Sequence, residues 1–319
     1  MIDLIWFRGA PYGLGWNTTG ITILNSSQLT SCSGLYLDSN GNLYTVDEYW
    51  NHVVWKLLQN TTTAFIVAGI MRSRGSNSSQ LNFPQDVYVD SNLNLYVTDY
   101  YGYRVQKFTN QSSIGETIAG ISNSKGIALN QFGGLRYFTF DSTETYMYIT
   151  DCDNHRIMRY FTNSTSGTDG TLVAGGNGAG TNNTQMNYPW GIYYQPSVSK
   201  YMYITNYYGH SVMRWIPGAS SGSFVAGIPG ISGSDATMLN NPMGIKMDIY
   251  QNLFVVDSTN NRVQLFCPNS SVGITIIGDG IPRDSATQLN RPRSIIFDSS
   301  MNMYISDYGN ARIQKFMKL

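Results

Sequence analysis

Leu95-Tyr96-Val97-Thr98-Asp99, then a short turn, then Arg104-Val105-Gln106-Lys107-Phe108, is the phrase that decides the fold. Versions of it recur six times, anchored on Asp47, Asp99, Asp151, Asn206, Asp257 and Asp307. The anchors lie 52, 52, 55, 51 and 50 residues apart. A period of about 50 marks an array of units, each one small sheet that cannot bury its faces alone.

One repeat can be read strand by strand. Pro84 introduces Val87-Tyr88-Val89, a run of β-formers. Asp90-Ser91-Asn92 is turn chemistry, because Asp and Asn side chains bond the backbone two residues on. Leu95 to Thr98 is a second strand, Tyr100-Tyr101-Gly102 a second turn, and Arg104 to Phe108 a third strand that alternates apolar and polar. Thr117-Ile118-Ala119-Gly120 ends a fourth, matched by Val67-Ala68-Gly69, Val173-Ala174-Gly175, Val225-Ala226-Gly227 and Ile276-Ile277-Gly278. Four short antiparallel strands per repeat make one propeller blade. The expected fold is all-β: a single six-bladed β-propeller over residues 1–319, with blades beginning near 33, 85, 135, 190, 243 and 293.

The last repeat stops after three strands, at Leu319. Gly20-Ile21-Thr22-Ile23-Leu24 is a spare strand ahead of the first repeat, so residues 1–31 read as a closure segment that completes blade six. Closure of the ring removes exposed sheet edges. Leu4 to Phe7 also resemble a third strand, which would be a duplicated element.

Bulk composition narrows the function. Net charge is zero, which argues against a nucleic-acid partner and its basic footprint. Charged residues make up 13%, against about 25% in an average soluble domain, so Asn, Ser, Thr, Gly and Tyr supply the polar surface. No apolar run reaches the ~20 residues of a membrane helix. Met1 to Phe7 lack the basic flank and the length of a secretion signal. Cys32, Cys152 and Cys267 fall in different repeats and give no disulfide framework.

Asn154-His155-Arg156-Ile157-Met158-Arg159, preceded by Met147-Tyr148-Ile149-Thr150-Asp151, resembles the NHL repeat, with its Asn-His core and strand-end Asp. The resemblance covers about residues 20–319 and implies one six-bladed propeller. The Trp-Asp pair of WD repeats is absent.

The conspicuous charged pairs are Asp99/Arg104, Asp151/Arg156, Asp257/Arg262 and Asp307/Arg312. They read as braces that pin each hairpin's register. Repeat four replaces both partners, with Asn206 and Ser211, and repeat one keeps Asp47 opposite Val53, leaving that carboxylate to find backbone donors. His52, His155 and His210 share one turn position on a wide circle and cannot close around a zinc ion, which needs N–Zn distances of about 2 Å. Propellers resembling this family, such as the amidating lyases, hold zinc through histidines near the axis. This chain has no His on a first strand, the strand nearest the axis. Asp38-Ser39-Asn40-Gly41-Asn42 opens like a calcium loop but has Leu43 and Tyr49 where that loop needs Gly and Glu. No catalytic set, metal site or cofactor is expected.

The second turns are aromatic: Tyr49 and Trp50, Tyr100, Tyr101 and Tyr103, Tyr207 and Tyr208, and Tyr308. The same rim gathers Trp190, Asp86 and Arg293 beside the starts of first strands. Aromatic side chains with polar tips give large contact area at low entropy cost, which suits recognition. Eight Asn-x-Ser/Thr acceptors occur, at Asn17, Asn25, Asn60, Asn77, Asn110, Asn163, Asn182 and Asn269. Asn60, Asn110, Asn163 and Asn269 occupy one equivalent loop, on the opposite rim. The expectation is a non-catalytic, extracellular or secreted module, monomeric and without membrane insertion, binding a protein, peptide or glycan. The alternatives are a lyase or lactonase with a metal at the axis, for which Asp86 and Arg293 are the charged candidates, and a cytoplasmic NHL module binding RNA or a substrate protein.

Overall fold

In the computed structural model, which describes residues 15–319, six four-stranded antiparallel sheets succeed one another along the chain. Their first strands are Cys32–Leu37, Pro84–Val89, Leu135–Phe140, Pro189–Tyr193, Pro242–Met247 and Ile295–Phe297. Blade 2 shows the pattern: Pro84–Val89, Leu95–Asp99, Arg104–Phe108 and Gly115–Gly120, in sequence order. Asp99 ends its strand opposite Pro84 on one side and Arg104 on the other. The six-bladed propeller expected from the repeat is therefore present.

Blade 6 is closed from the other end of the chain. Ile21–Leu24 pairs antiparallel with Arg312–Phe316, in the register Ile21↔Lys315, Thr22↔Gln314 and, past a bulge, Leu24↔Ile313. Backbone bonds continue the seam from Asn17 N–H to the Met317 carbonyl (2.8 Å) and from Leu319 N–H to the Gly15 carbonyl (2.9 Å). Trp16 is buried beside this seam, its indole N–H donating to the Met301 carbonyl at 2.7 Å and its ring edge-on to Phe254. The strand-like segment Leu4 to Phe7 lies outside the described residues.

The apolar core lies between blades, not within them. Tyr96, Val105 and Ile118 of blade 2 pack with Leu135, Phe138 and Ile149 of blade 3. Ile157 and Val173 of blade 3 pack with Trp190, Ile204 and Trp215 of blade 4, and Leu24 and Ile313 pack with Leu35 and Leu43 across the closure. Every sheet thus depends on its neighbours for burial, as the repeat required. Hydroxyl bridges add to this near the axis. Thr98, Thr150 and Thr205, each on a second strand, donate to the carbonyls of Arg136 (2.7 Å), Trp190 (3.0 Å) and Met243 (2.7 Å) on the next blade's first strand. Gly34 and Gly191 allow close approach of the next first strand, since a Cβ there would overlap Asp86 and the Gln85 carbonyl, or the Met243 carbonyl.

Candidate functional site

The Asp–Arg residues form four ion pairs whose hydrogen bonds reach further than one hairpin. Arg104 Nε donates to Asp99 Oδ2 at 2.9 Å, and the equivalent distances are 2.7 Å for Arg156–Asp151, 2.8 Å for Arg262–Asp257 and 2.7 Å for Arg312–Asp307. The remaining guanidinium N–H groups of Arg104 donate to the carbonyls of Ser76, Asn77 and Gln80 in the loop that leads into the blade. Asp99 Oδ1 accepts the Asn82 N–H of that same loop at 2.6 Å. All four pairs are buried. In blade 1, Asp47 uses the N–H groups of Thr30 and Ser31, as expected, together with side-chain donors from Thr30 and Asn51.

The three histidines join neighbouring blades. His52, His155 and His210 each adopt a left-handed backbone conformation, with φ of 52°, 54° and 51°. Nδ1 of each accepts a backbone N–H at the start of the next blade: Phe83, Tyr188 and Asn241. In blade 5, Asn261 takes the same position and accepts from Arg291 N–H at 2.9 Å. Burial pushes all three imidazoles below their ordinary pKa, keeping Nδ1 an acceptor.

The aromatic turns form a belt whose rings come from blades 1, 2 and 4. Trp50 meets Tyr49 at 5.1 Å between ring centres, Tyr49 meets Phe83 at 5.5 Å, Phe83 meets Tyr101 at 5.1 Å, and Tyr101 meets Tyr100 at 4.7 Å. The Tyr100 and Tyr188 hydroxyls then bond at 3.0 Å, and Tyr188 contacts Tyr208 and Tyr207. Trp50 is 65% exposed, Tyr49 47%, Tyr101 46% and Tyr208 54%, so blades 1, 2 and 4 each turn at least one member to solvent. Tyr100 is buried, and Tyr103 and Tyr207 are half-buried. An open depression of about 620 Å³ lies beside Trp50, walled by Tyr49, His52, Arg72, Arg74 and Phe83.

Inside this belt, at the channel mouth, lies a ring of six equivalent positions: Ser33, Gln85, Arg136, Trp190 and Met243, each one residue past the start of its first strand, and Arg293, two residues before the first strand of blade 6. The Arg136 guanidinium sits 3.8 Å from the Trp190 ring centre, 4.3 Å from Tyr100 and 5.5 Å from Tyr188. It donates to Gln85 Oε1 at 2.5 Å and to the Tyr188 hydroxyl at 2.9 Å. Arg293 lies 3.4 Å from the Tyr308 ring centre and 5.7 Å from Trp190, and it pairs with Glu48. Trp190 is only 4% exposed, so it supports the ring rather than offering a face to solvent.

Asp86 lies one residue deeper than the ring, buried in the channel, and accepts the Phe138 N–H at 3.2 Å. It shares a cavity of about 100 Å³ with Lys246, Tyr137 and Ser294. Burial raises its carboxyl to about 7, against the pull of the Phe138 N–H and Lys246. Among the described residues no three His, Cys, Asp or Glu side chains come together as a metal site.

Sequence reasoning reached Trp190 and Arg293 but missed Arg136, Glu48, Phe83 and Tyr188. Comparing the six first strands position by position would have found Arg136, which stands where its neighbouring blades carry Gln85 and Trp190. On the opposite rim, Asp38 accepts from Asn40 N–H, Asn42 N–H and the Asn42 amide, which makes it a turn clasp. Asp90 and Asp248 do the same in blades 2 and 5. Asn60, Asn110, Asn163 and Asn269 are all exposed between third and fourth strands. No helix among the described residues is long and apolar enough to cross a membrane.

Residues 81–108, the centre of blade 2, match the NHL repeat model. No curated protein matches the chain in sequence. Among solved structures the chain is similar to an auxiliary nutrient binding protein from Bacteroides ovatus, with TM-score 0.67, 17% identity, and coverage of 94% of this chain and 72% of that one. It is also similar to a gluconolactonase from Xanthomonas campestris, with TM-score 0.64, 13% identity, and coverage of 93% and 89%. A third is virginiamycin B lyase from Staphylococcus aureus, with TM-score 0.60, 13% identity, and coverage of 94% and 98%. At these identities the likeness is one of fold.

Proposed function

We propose that this chain is a non-catalytic recognition propeller, extracellular, that holds its ligand on the aromatic rim. The carrying observation is the unbroken chain of rings from Trp50 to Tyr208, with exposed members in three blades. Of the three ligand classes considered, protein, peptide and glycan, the rim suits a glycan best. Peptides gain affinity by joining a sheet edge, whereas this belt is built of side chains on turns. Ring faces bordered by Thr30, Arg72 and Arg74 serve the apolar face and the hydroxyls of a sugar. Four acceptor asparagines, Asn60, Asn110, Asn163 and Asn269, lie on the opposite rim, while Asn77 and Asn182 sit in the long loops on the belt's own rim; the set fits an extracellular setting, as does the fold likeness to a nutrient binding protein.

The test is a glycan and peptide panel read against Trp50→Ala, Tyr101→Ala and Tyr208→Ala together. These side chains are exposed, so the melting temperature should hold while ligand capture is lost. Capture that survives the triple replacement removes the rim from consideration.

A second reading, catalysis at the axis, draws on the buried Asp86–Lys246 cavity and on the fold shared with a gluconolactonase and a lyase. Metal analysis of the purified protein, with lactone turnover by the parent and by Asp86→Asn, decides it. Turnover lost in the variant would establish it, and no turnover with no stoichiometric metal would end it.

A further inference from the structure

Two cations at the channel mouth have carboxylate partners among the described residues, and Arg136 has none. Arg293 is matched by Glu48, and Lys125, at the edge, by Asp153. Arg136 has no carboxylate within ion-pair distance among the described residues, although it is partly buried against three rings. A guanidinium carries five N–H donors, and Arg136 uses its two terminal nitrogens on Gln85 and Tyr188. Its Nε is buried with no acceptor, and so is the indole Nε1 of Trp190, the ring it stacks on. Glu48 Oε2 is a buried acceptor with no donor. Buried polar atoms left without partners are costly, and native proteins rarely cluster them without a use.

We infer that this mouth receives the carboxylate of a sugar acid, a hexuronate unit of a glycan whose neighbouring sugars lie along the aromatic belt. The inference rests on the recognition reading above. A carboxylate matches the planar guanidinium and carries the single negative charge that Arg136 lacks. The sugar's hydroxyls offer a donor for Glu48 Oε2 and further acceptors for the idle N–H groups. The rings around Arg136 raise the strength of the pairing by excluding water. A peptide carboxylate would satisfy Arg136 too, but its main chain would find no strand to join on this rim.

The experiment is calorimetric titration of the full chain with trigalacturonate, with its methyl ester, and with a neutral trisaccharide of the same size. We expect the acid to bind and the ester to bind at least tenfold more weakly, with affinity for the acid falling as salt rises. Arg136→Gln should bring acid and ester to the same affinity. The acid–ester comparison uses the parent protein and stands even if that variant fails to fold. Equal binding of acid and ester overturns the inference, and so does failure of both. It is likewise overturned if a peptide with a free C-terminus binds and its amide does not, while no uronate binds. In each of those cases a neutral glycan or peptide that binds, and is lost in Trp50→Ala, leaves the rim reading standing.

Discussion

The guanidinium of Arg136 lies 3.8 Å from the centre of the Trp190 indole, and the two residues belong to neighbouring blades at equivalent positions. The contact stabilises a desolvated cation by about 2 kcal/mol, which only partly offsets the several kcal/mol that burial of an unpaired ion costs. Arg136→Met keeps the reach and removes the charge. We expect its unfolding free energy, measured by urea titration, to stay within about 1 kcal/mol of the parent. A loss of several kcal/mol would make Arg136 a structural keystone and weaken its assignment to a ligand.

Arg104 presents the opposite case. Removing it leaves Asp99 buried without its cation and frees three loop carbonyls. Arg104→Met should therefore cost about 3–5 kcal/mol. Blade 4 does without the pair by changing both partners, to Asn206 and Ser211. Asp99→Asn with Arg104→Ser should accordingly cost less than Arg104→Met alone, and a double-mutant cycle reads the difference.

The scaffold was legible because it is written six times. A strand-end Asp with an Arg five residues on announces itself by recurrence, and so does each Pro that opens a first strand. Glu48 occurs once and the ring-position arginine only twice, as Arg136 and Arg293 three blades apart, so no period points to them. Their meaning arises from blades that are distant in sequence, as when Glu48 of blade 1 meets Arg293 of blade 6. Burial was also illegible. Trp190 and Trp50 are equally aromatic in the sequence, yet one is 4% and the other 65% exposed.

The histidine staples make the ring acid-sensitive. Each Nδ1 must be unprotonated to accept its N–H, and burial depresses all three pKa values. A depressed folded-state value means the stabilisation is complete above the ordinary value of 6.5 and drains away as pH falls through the folded value. His155→Asn, which copies Asn261 of blade 5, should lose less stability than the parent between pH 7 and 5. Melting curves at about pH 7 and about pH 5 test this, and equal losses in both proteins would refute it.

Removing residues 1–25 deletes the strand Ile21–Leu24 and the buried Trp16. It exposes the edge of Arg312–Phe316 and opens the cluster of Leu24 with Leu35 and Ile313. An uncovered edge is a template for pairing with other chains. We expect the truncated protein to aggregate or to lose its cooperative melt, measured by light scattering and calorimetry. An unchanged melting curve would mean the ring does not need its closure strand.

Asp86 should act on stability with the sign opposite to the histidines. Its carboxyl is raised from an ordinary value of 3.8 to about 7, by burial first, with the Phe138 N–H and Lys246 pulling it down. A raised folded value means the folded protein holds the proton more tightly than the unfolded chain. Stability from this group is then full below about pH 4 and is lost as pH rises through 7. The loss amounts to as much as about 4 kcal/mol at pH 8. Asp86→Asn fixes the neutral form, and the amide keeps an oxygen to accept the Phe138 N–H. We expect it to leave stability unchanged near pH 4 and to raise the melting temperature at pH 8. Lys246 titrates nearby with its own pKa lowered by burial, so Lys246→Met should sharpen the parent's loss rather than abolish it. A parent and an Asp86→Asn variant that run parallel across this range would show that Asp86 is ionised in the folded channel.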